Sequence, residues 1–358
     1  MNSTMSDTYC VLPFTHLHID QYNDIRPCCQ AKPVEQYTDS FNWNTNAQLN
    51  VVRNDMLQGN KHEACEYCWK LEDNNRVSPR QRANNDYKTR ELKLISYDLR
   101  NDDTCNLSCR MCNPINSSTK QKEWNELERG YFKSPSVATL DMINIDTIEH
   151  LYIAGGEPFL NPELEGFLDR CIEQNKLNFK LQLNTNCSTN SKNLIDKLRL
   201  FNNIHIIASC DGYETVFEHI RYPNKWDRFT KNLETYKEFS KSICFNVTVM
   251  NYNVSNLYKL VNWIEENYND SVILLNILDK PEIYHFTNYP FKENALVNVR
   301  KLTSTSAYND ITFKKHVDYI INSLIEYKFD KEVYDEFLLE DSILNKHRNI
   351  DAMFVSIQ

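Results

Sequence analysis

Cys105, Cys109 and Cys112 form a C-x3-C-x2-C loop within TCNLSCRMCNP, directly after an apolar run, Leu92 to Leu99, that reads as a strand. Three thiolates this close can ligate three corners of a cubane [4Fe-4S] cluster, because soft sulfur donors suit iron-sulfur clusters and zinc. The fourth iron is then open to a substrate or cofactor, the usual difference between a catalytic and a closed structural metal site. On the triplet alone, a zinc knuckle short of one ligand or three ordinary buried thiols is the plainer alternative.

A second motif narrows the choice. Ile148 to Ala154 is an apolar run of strand length ending in Gly155-Gly156-Glu157-Pro158, and a helical pattern follows from Pro162 to Gln174. The chain has only six glycines, so a doublet at a strand end has a purpose. Glycines there let the backbone approach a ligand closely, and a carboxylate beside them can receive an ammonium group. The cysteine triplet followed by GGEP resembles the radical S-adenosylmethionine (SAM) superfamily.

The resemblance implies an α/β fold, a partial (β/α)6 barrel, with SAM chelating the open iron through its amino and carboxylate groups. Gly155, Gly156, Glu157 and Pro158 would then be cofactor-binding, with Glu157 meeting the SAM ammonium. In the superfamily an electron from the reduced cluster splits SAM into methionine and a 5'-deoxyadenosyl radical, which abstracts a substrate hydrogen. The resemblance also implies an electron donor such as flavodoxin or ferredoxin. Met111 stands where the superfamily often has an aromatic residue, and a flexible thioether can still pack against an adenine ring.

Further strands continue the pattern. Phe179 to Leu183 runs into Asn184-Thr185-Asn186, and Ile204 to Ala208 into Ser209-Cys210-Asp211-Gly212. Barrel sites are built at the C-terminal ends of strands, making Thr185, Asn186, Ser209 and Asp211 candidates for the SAM ribose and carboxylate. Turn chemistry is the competing reading for each. Ser209 through Arg221 resembles the S-x-D-G segment with a downstream arginine of peptide-modifying radical SAM enzymes, which implies that Arg221 lies near SAM. Cys244 to Met250 and Val272 to Leu278 supply two more strands, with Leu257, Leu260, Val261 and Ile264 as the core stripe of a helix between them. Beyond Lys280 come an aromatic, proline-containing loop and two helical patterns, Lys314 to Tyr327 and Lys331 to Leu339. Cys171, Cys187, Cys210 and Cys244 sit in or beside apolar segments and read as small core residues.

The N-terminal hundred residues carry another cysteine set. Thr15 to Ile19 alternates, Tyr22-Asn23-Asp24 is turn-prone, and Ile25 leads to Cys28-Cys29, so a hairpin brings Cys10 near that pair. Cys65 and Cys68 add a C-x2-C pair. The set resembles a twitch domain, a short relative of the SPASM domain that holds one auxiliary [4Fe-4S] cluster, although here it precedes the barrel. A structural zinc site built from four of Cys10, Cys28, Cys29, Cys65 and Cys68 is the alternative. The expected organisation is a twitch/SPASM-like module over 8–90, the barrel over 91–280 and a helical extension over 281–358.

Composition excludes other classes. A net charge of -9 argues against a general nucleic-acid surface. No apolar run spans a bilayer and no signal peptide opens the chain, which points to the cytoplasm. Twelve cysteines in that setting favour metal binding over disulfides. The expected function is radical SAM chemistry on a peptide or protein side chain, as twitch and SPASM relatives often perform. A small molecule or nucleotide substrate is the alternative, and a non-catalytic metal-binding protein a third reading.

Overall fold

The computed structural model describes residues 6–73, 77–87, 91–100, 102–130 and 139–353. The chain divides into two compact units, the first of residues 1–106, 114–184 and 191–205, the second of residues 107–113, 185–190 and 206–358. Strands alternate with helices from residue 96 onward, the chain order expected of a partial (β/α) barrel.

In the first unit a single turn, α1 (Leu12–Thr15), leads into β1 (His16–Ile19) and a hairpin through β2 (Asp24–Arg26) to β3 (Glu35–Gln36). Then come α2 (Ala47–Gln58), α3 (Glu66–Asp73), α4 (Pro79–Asp86), β4 (Ser96–Leu99), α5 (Ser118–Glu126), β5 (His150–Ile153), α6 (Pro162–Glu173), β6 (Lys180–Thr185) and α7 (Lys192–Leu198). The expected hairpin forms, with His18 opposite Arg26. Its first strand also pairs in parallel with β4, which pairs with β5 and that with β6. The strand order of this unit is therefore β3-β2-β1-β4-β5-β6.

Alternation sorts these strands into two faces. Leu17, Ile19, Tyr97, Leu99, Leu151, Ile153, Leu181 and Leu183 are buried on one of them. The other is polar. His16, Ser96, His150 and Lys180 stand side by side in one row, and His18, Asp98, Tyr152 and Gln182 in the next. In the first row the Ser96 hydroxyl lies 2.8 Å from His16 Nδ1 and 3.2 Å from His150 Nδ1, and receives the Tyr87 hydroxyl at 2.9 Å. His150 Nε2 meets Gln182 Oε1 at 2.6 Å.

The second unit receives β7 (Ile204–Ser209) from Ile206 on, followed by α8 (Thr215–Ile220), α9 (Trp226–Lys237), β8 (Ser242–Val249), α10 (Leu257–Asn267), β9 (Val272–Ile277), α11 (Lys292–Lys301), α12 (Ile311–Glu326) and α13 (Lys331–Arg348). β8 and β9 are parallel. Leu257, Leu260, Val261 and Ile264 are at most 1% exposed, the core stripe expected of α10. Two details differ from the sequence reading. α11 forms where a loop was expected, and α13 runs nine residues past Leu339. Beyond Phe337 the buried face of α13 is mostly polar, with Asp341, Asn345 and Arg348 beside a single buried leucine, Leu344, a pattern that periodicity of hydrophobicity registers poorly. Cys171, Cys187 and Cys210 are fully buried and Cys244 half-buried, as read from their apolar surroundings. Among the described residues no helix is long and apolar enough to cross a membrane.

The polar face has a consequence for pH. Burial lowers His16 to about 3 and His150 to about 4, so both are neutral in the folded chain. The unfolded chain takes up these protons near pH 6.5. Their contribution is complete above that value and is lost as the pH falls towards the folded values. Between pH 7 and 5 each histidine should cost about 2 kcal/mol of stability. Denaturant titrations at the two pH values should show this loss in the native chain and a much shallower one in a His16→Gln/His150→Gln variant; equal slopes would contradict it.

Candidate functional site

The cysteine triplet is divided between the units, with Cys105 at the end of one segment of the first and Cys109 and Cys112 in the second. In the first unit, the backbone leaving β4 is tied to the GGEP loop leaving β5. Gly156 N–H donates to the Asp102 carbonyl at 2.8 Å and Glu157 N–H to that of Thr104 at 2.7 Å. The approach explains the glycines. Gly155 has φ +124°, and a Cβ on it would lie 2.8 Å from the Asp102 oxygen; one on Gly156 would lie 2.7 Å from the Asp103 carbonyl carbon. Ser118 N–H donates to the Asp103 carbonyl at 2.8 Å, and the Thr119 hydroxyl to that of Cys105 at 2.5 Å. Glu157 is 1% exposed, and its carboxylate accepts the Phe159 N–H at 3.2 Å while Pro158 opens the following turn.

In the second unit Ser108 and Arg110 donate their N–H groups to the carbonyls of Tyr222 and Ile220, at 2.8 and 2.9 Å. Arg221, between those acceptors, pairs with the buried Asp211 at 2.7 Å and brings Nη1 to 4.0 Å from Cys109 Sγ. Asp211 also accepts the Thr248 N–H at 2.6 Å. Burial raises the Asp211 carboxyl against the opposing pull of Arg221. Burial alone would lower Arg221, but Asp211, Cys109 and Cys210 outweigh it and hold the cation firmly charged. A fixed cation beside Cys109 favours its thiolate. Met111 packs against an aromatic cluster containing Tyr252, Tyr284 and Phe337. Thr185 Oγ1 accepts the Cys187 N–H and Asn186 Oδ1 that of Ser188, so both side chains serve the turn that ends β6. Ser209 is buried at the end of β7.

The N-terminal cysteines belong to the first unit. Cys10, Cys28, Cys65 and Cys68 line one small cavity, walled otherwise by Leu12, Pro13, Pro27, Gln30, Ala31 and Arg80. Cys29 is exposed and does not line it. The pair lies beyond β2, in a turn closed by the Ala31 N–H on the Cys28 carbonyl at 3.0 Å. Cys65 ends a turn capped by His62, and Cys68 stands three residues on, in α3, on the same helical side. Burial pushes the thiols of Cys10 and Cys65 up to about 12 and raises those of Cys28 and Cys68. Among the described residues no group of three or more His, Cys, Asp or Glu is placed to hold a metal ion. By donor type, an all-sulfur set suits an iron-sulfur cluster or zinc.

The sequence reading missed three sets of residues. Arg80 spans both Glu72 oxygens at 2.9 and 2.6 Å, donates to the Tyr9 carbonyl at 2.6 Å and covers the Trp69 ring. His18 lies 2.9 Å from Asp98, each one residue before the end of its strand, and the strand of Asp98 is the one that leads to the cysteine loop. Arg110, inside the triplet itself, is 2% exposed. Alternation of polar residues in HLHI and SYDL was the available signal for the second set; no local pattern marks the first or third.

Residues 103–264 match the family model described as the radical SAM superfamily. Solved structures similar to it include Streptococcus suis SuiB bound to S-adenosylmethionine, at 15% identity and TM-score 0.37, covering 75% of this chain and 52% of that one. SuiB bound to precursor peptide SuiA matches at 15% identity and TM-score 0.38, covering 85% and 63%. Native anSMEcpe with bound AdoMet and Kp18Cys peptide matches at 16% identity and TM-score 0.42, covering 59% of each chain. The chain thus spans between about half and two thirds of these proteins' lengths. No curated protein matches it.

The cavity makes unequal demands on the paired cysteines. Cys28→Ala should lose much of the iron held by the N-terminal cysteines after anaerobic reconstitution, and Cys29→Ala much less. Iron analysis of the two variants decides the matter, and the reverse order would place the ligand one residue on.

Proposed function

We propose that the chain is a radical SAM enzyme acting on a peptide or protein side chain. In this reading Cys105, Cys109 and Cys112 hold the SAM-binding [4Fe-4S] cluster, and Cys10, Cys28, Cys65 and Cys68 an auxiliary one. The observation that carries it is the main-chain join between the cysteine loop and the GGEP loop at the ends of adjacent parallel strands, inside the stretch matched by the superfamily model. When bound, the cluster and SAM supply a 5'-deoxyadenosyl radical able to take a hydrogen atom from an unactivated carbon.

The chain's own residues bind and orient. Glu157, buried and fixed by its hydrogen bond to Phe159, receives the SAM ammonium while Gly155 and Gly156 leave room for the cofactor to approach. Arg221, anchored by Asp211, supports the Cys109 thiolate. Thr185, Asn186 and Ser209 border the cofactor from the ends of β6 and β7. Cys10, Cys28, Cys65 and Cys68 would hold the auxiliary group; with all four as ligands it would supply electron transfer to or from the substrate, and with one of them off the metal an open iron for substrate binding. An external donor of the flavodoxin or ferredoxin kind supplies reducing electrons. The peptide class follows from the twitch-like cysteine set.

Anaerobically reconstituted protein should bind about eight irons, four for each cubane cluster. Four irons and a tightly held zinc would refute the auxiliary cluster. With a strong reductant it should form 5'-deoxyadenosine. Glu157→Ala removes a charged hydrogen-bond partner worth about 1.5 to 3 kcal/mol, so SAM should bind roughly tenfold to a hundredfold more weakly. Unchanged SAM affinity in an equilibrium titration would exclude this role for Glu157.

A further inference from the structure

Arg110 lies between the second and third cysteines of the triplet, where a strongly hydrated cation has no evident reason to be buried. Its side chain is nevertheless fully enclosed, and its guanidinium lies 2.6 Å from Asp341 in α13. The same group donates to the Tyr252 hydroxyl at 3.0 Å, to the Asn345 side chain, and through Nε to the His219 carbonyl at 3.0 Å. Asp341 in turn accepts the Tyr252 hydroxyl at 2.5 Å and the Asn345 amide at 2.7 Å, with His219 Nε2 at 3.3 Å. One turn further on, Arg348 donates to the Ser108 carbonyl at 2.6 Å. Asp341, Asn345 and Arg348 occupy one face of α13 at spacings of four and three, so a rigid helix grips the loop on either side of Cys109.

Residues 107–113 form no helix or strand, and two of their N–H groups are satisfied by the backbone at 220–222. A buried ion pair is a poor source of net stability compared with apolar packing, and its better-attested use is to impose one arrangement on the chain. We propose that α13 is a brace for the cluster loop, and that Arg110 and Asp341 are positioning residues that fix the orientation of Cys109 and Cys112 without touching SAM. This gives the C-terminal extension a task in catalysis, and it rests on the radical SAM reading of the triplet.

The test compares native protein with Asp341→Asn and with the double variant Arg110→Met/Asp341→Leu, which replaces both charges by apolar side chains. All are reconstituted anaerobically and followed by thermal unfolding, iron content, and electron paramagnetic resonance of the reduced cluster with and without SAM. Native protein that shows no SAM-dependent change in that spectrum would overturn the radical SAM reading itself. Given that change, Asp341→Asn should keep the iron of the N-terminal cysteines while its SAM-dependent spectrum is weakened or altered. The double variant should unfold near the native temperature yet keep the altered spectrum, and form 5'-deoxyadenosine up to roughly a hundredfold more slowly, as expected of a misplacement near 1 Å. A folded double variant with native spectrum and rate would overturn the brace. So would a double variant that fails to fold or loses iron from both sites, since the pair would then serve the whole fold and not the loop.

Discussion

The cysteine loop over residues 105–112 forms no helix or strand, so its backbone is fixed by bonds to other segments. In this chain the fixing is done by main-chain hydrogen bonds at both ends. Gly156 and Glu157 bind the carbonyls of Asp102 and Thr104 in the first unit, and Ser108 and Arg110 bind those of Tyr222 and Ile220 in the second. Each end imposes a sequence requirement. The first demands glycine, because any side chain at 155 or 156 would collide with the peptide it must approach. The second sets Arg221, between the two acceptor carbonyls, within reach of Cys109. Residues that look like separate cofactor contacts in the sequence are thus also the scaffold of the cysteine loop.

Three arginines buried around these loops are each paired with a carboxylate. Arg110 faces Asp341, Arg221 faces Asp211, and Arg80 faces Glu72. An isolated ion in such surroundings would cost several kcal/mol, and pairing with full hydrogen bonding offsets most of it. Each arginine also stands beside a cysteine, either next to it in the chain or in contact with its surroundings. Fixed cations stabilise thiolate against thiol, which is the form that binds metal.

The parts legible in the sequence were those set by short-range rules. The strands ending at Leu99, Ile153 and Ser209 followed from apolar runs with motif residues at their ends, and the hairpin at residues 16–26 from alternation around a turn. The helix over 257–267 followed from its stripe. Tertiary partnership was not legible. The parallel pairing of His16–Ile19 with Ser96–Leu99 joins segments eighty residues apart, and nothing local announces it. The length of the last helix was hidden because, past Tyr334 and Phe337, its buried face is Asp341, Asn345 and Arg348 with only Leu344 apolar among them, and pattern reading assigns the first three types to solvent. Arg110 was overlooked for the same reason, since a lone arginine in a polar loop is normally exposed.

The N-terminal cavity shows why an all-cysteine set reads differently in the sequence and in the folded chain. By spacing alone Cys28 and Cys29 are equivalent, and a strand would separate them by turning them to opposite faces. The chain instead leaves the strand at Arg26, and the turn over 28–31 carries Cys28 to the cavity wall and Cys29 to the surface. Burial then raises all four lining thiols, those of Cys10 and Cys65 to about 12. Such groups bind metal only by giving up their protons, so loading the cavity converts neutral thiols into buried thiolates and couples metal affinity to pH. The charge so created needs a counterpart, and Arg80 is the cation on the cavity wall, held by Glu72 and by the carbonyl beside Cys10. Sulfur donors and a braced cation meet only once residues 10, 28, 65, 68 and 80 have been brought to one cavity by folding.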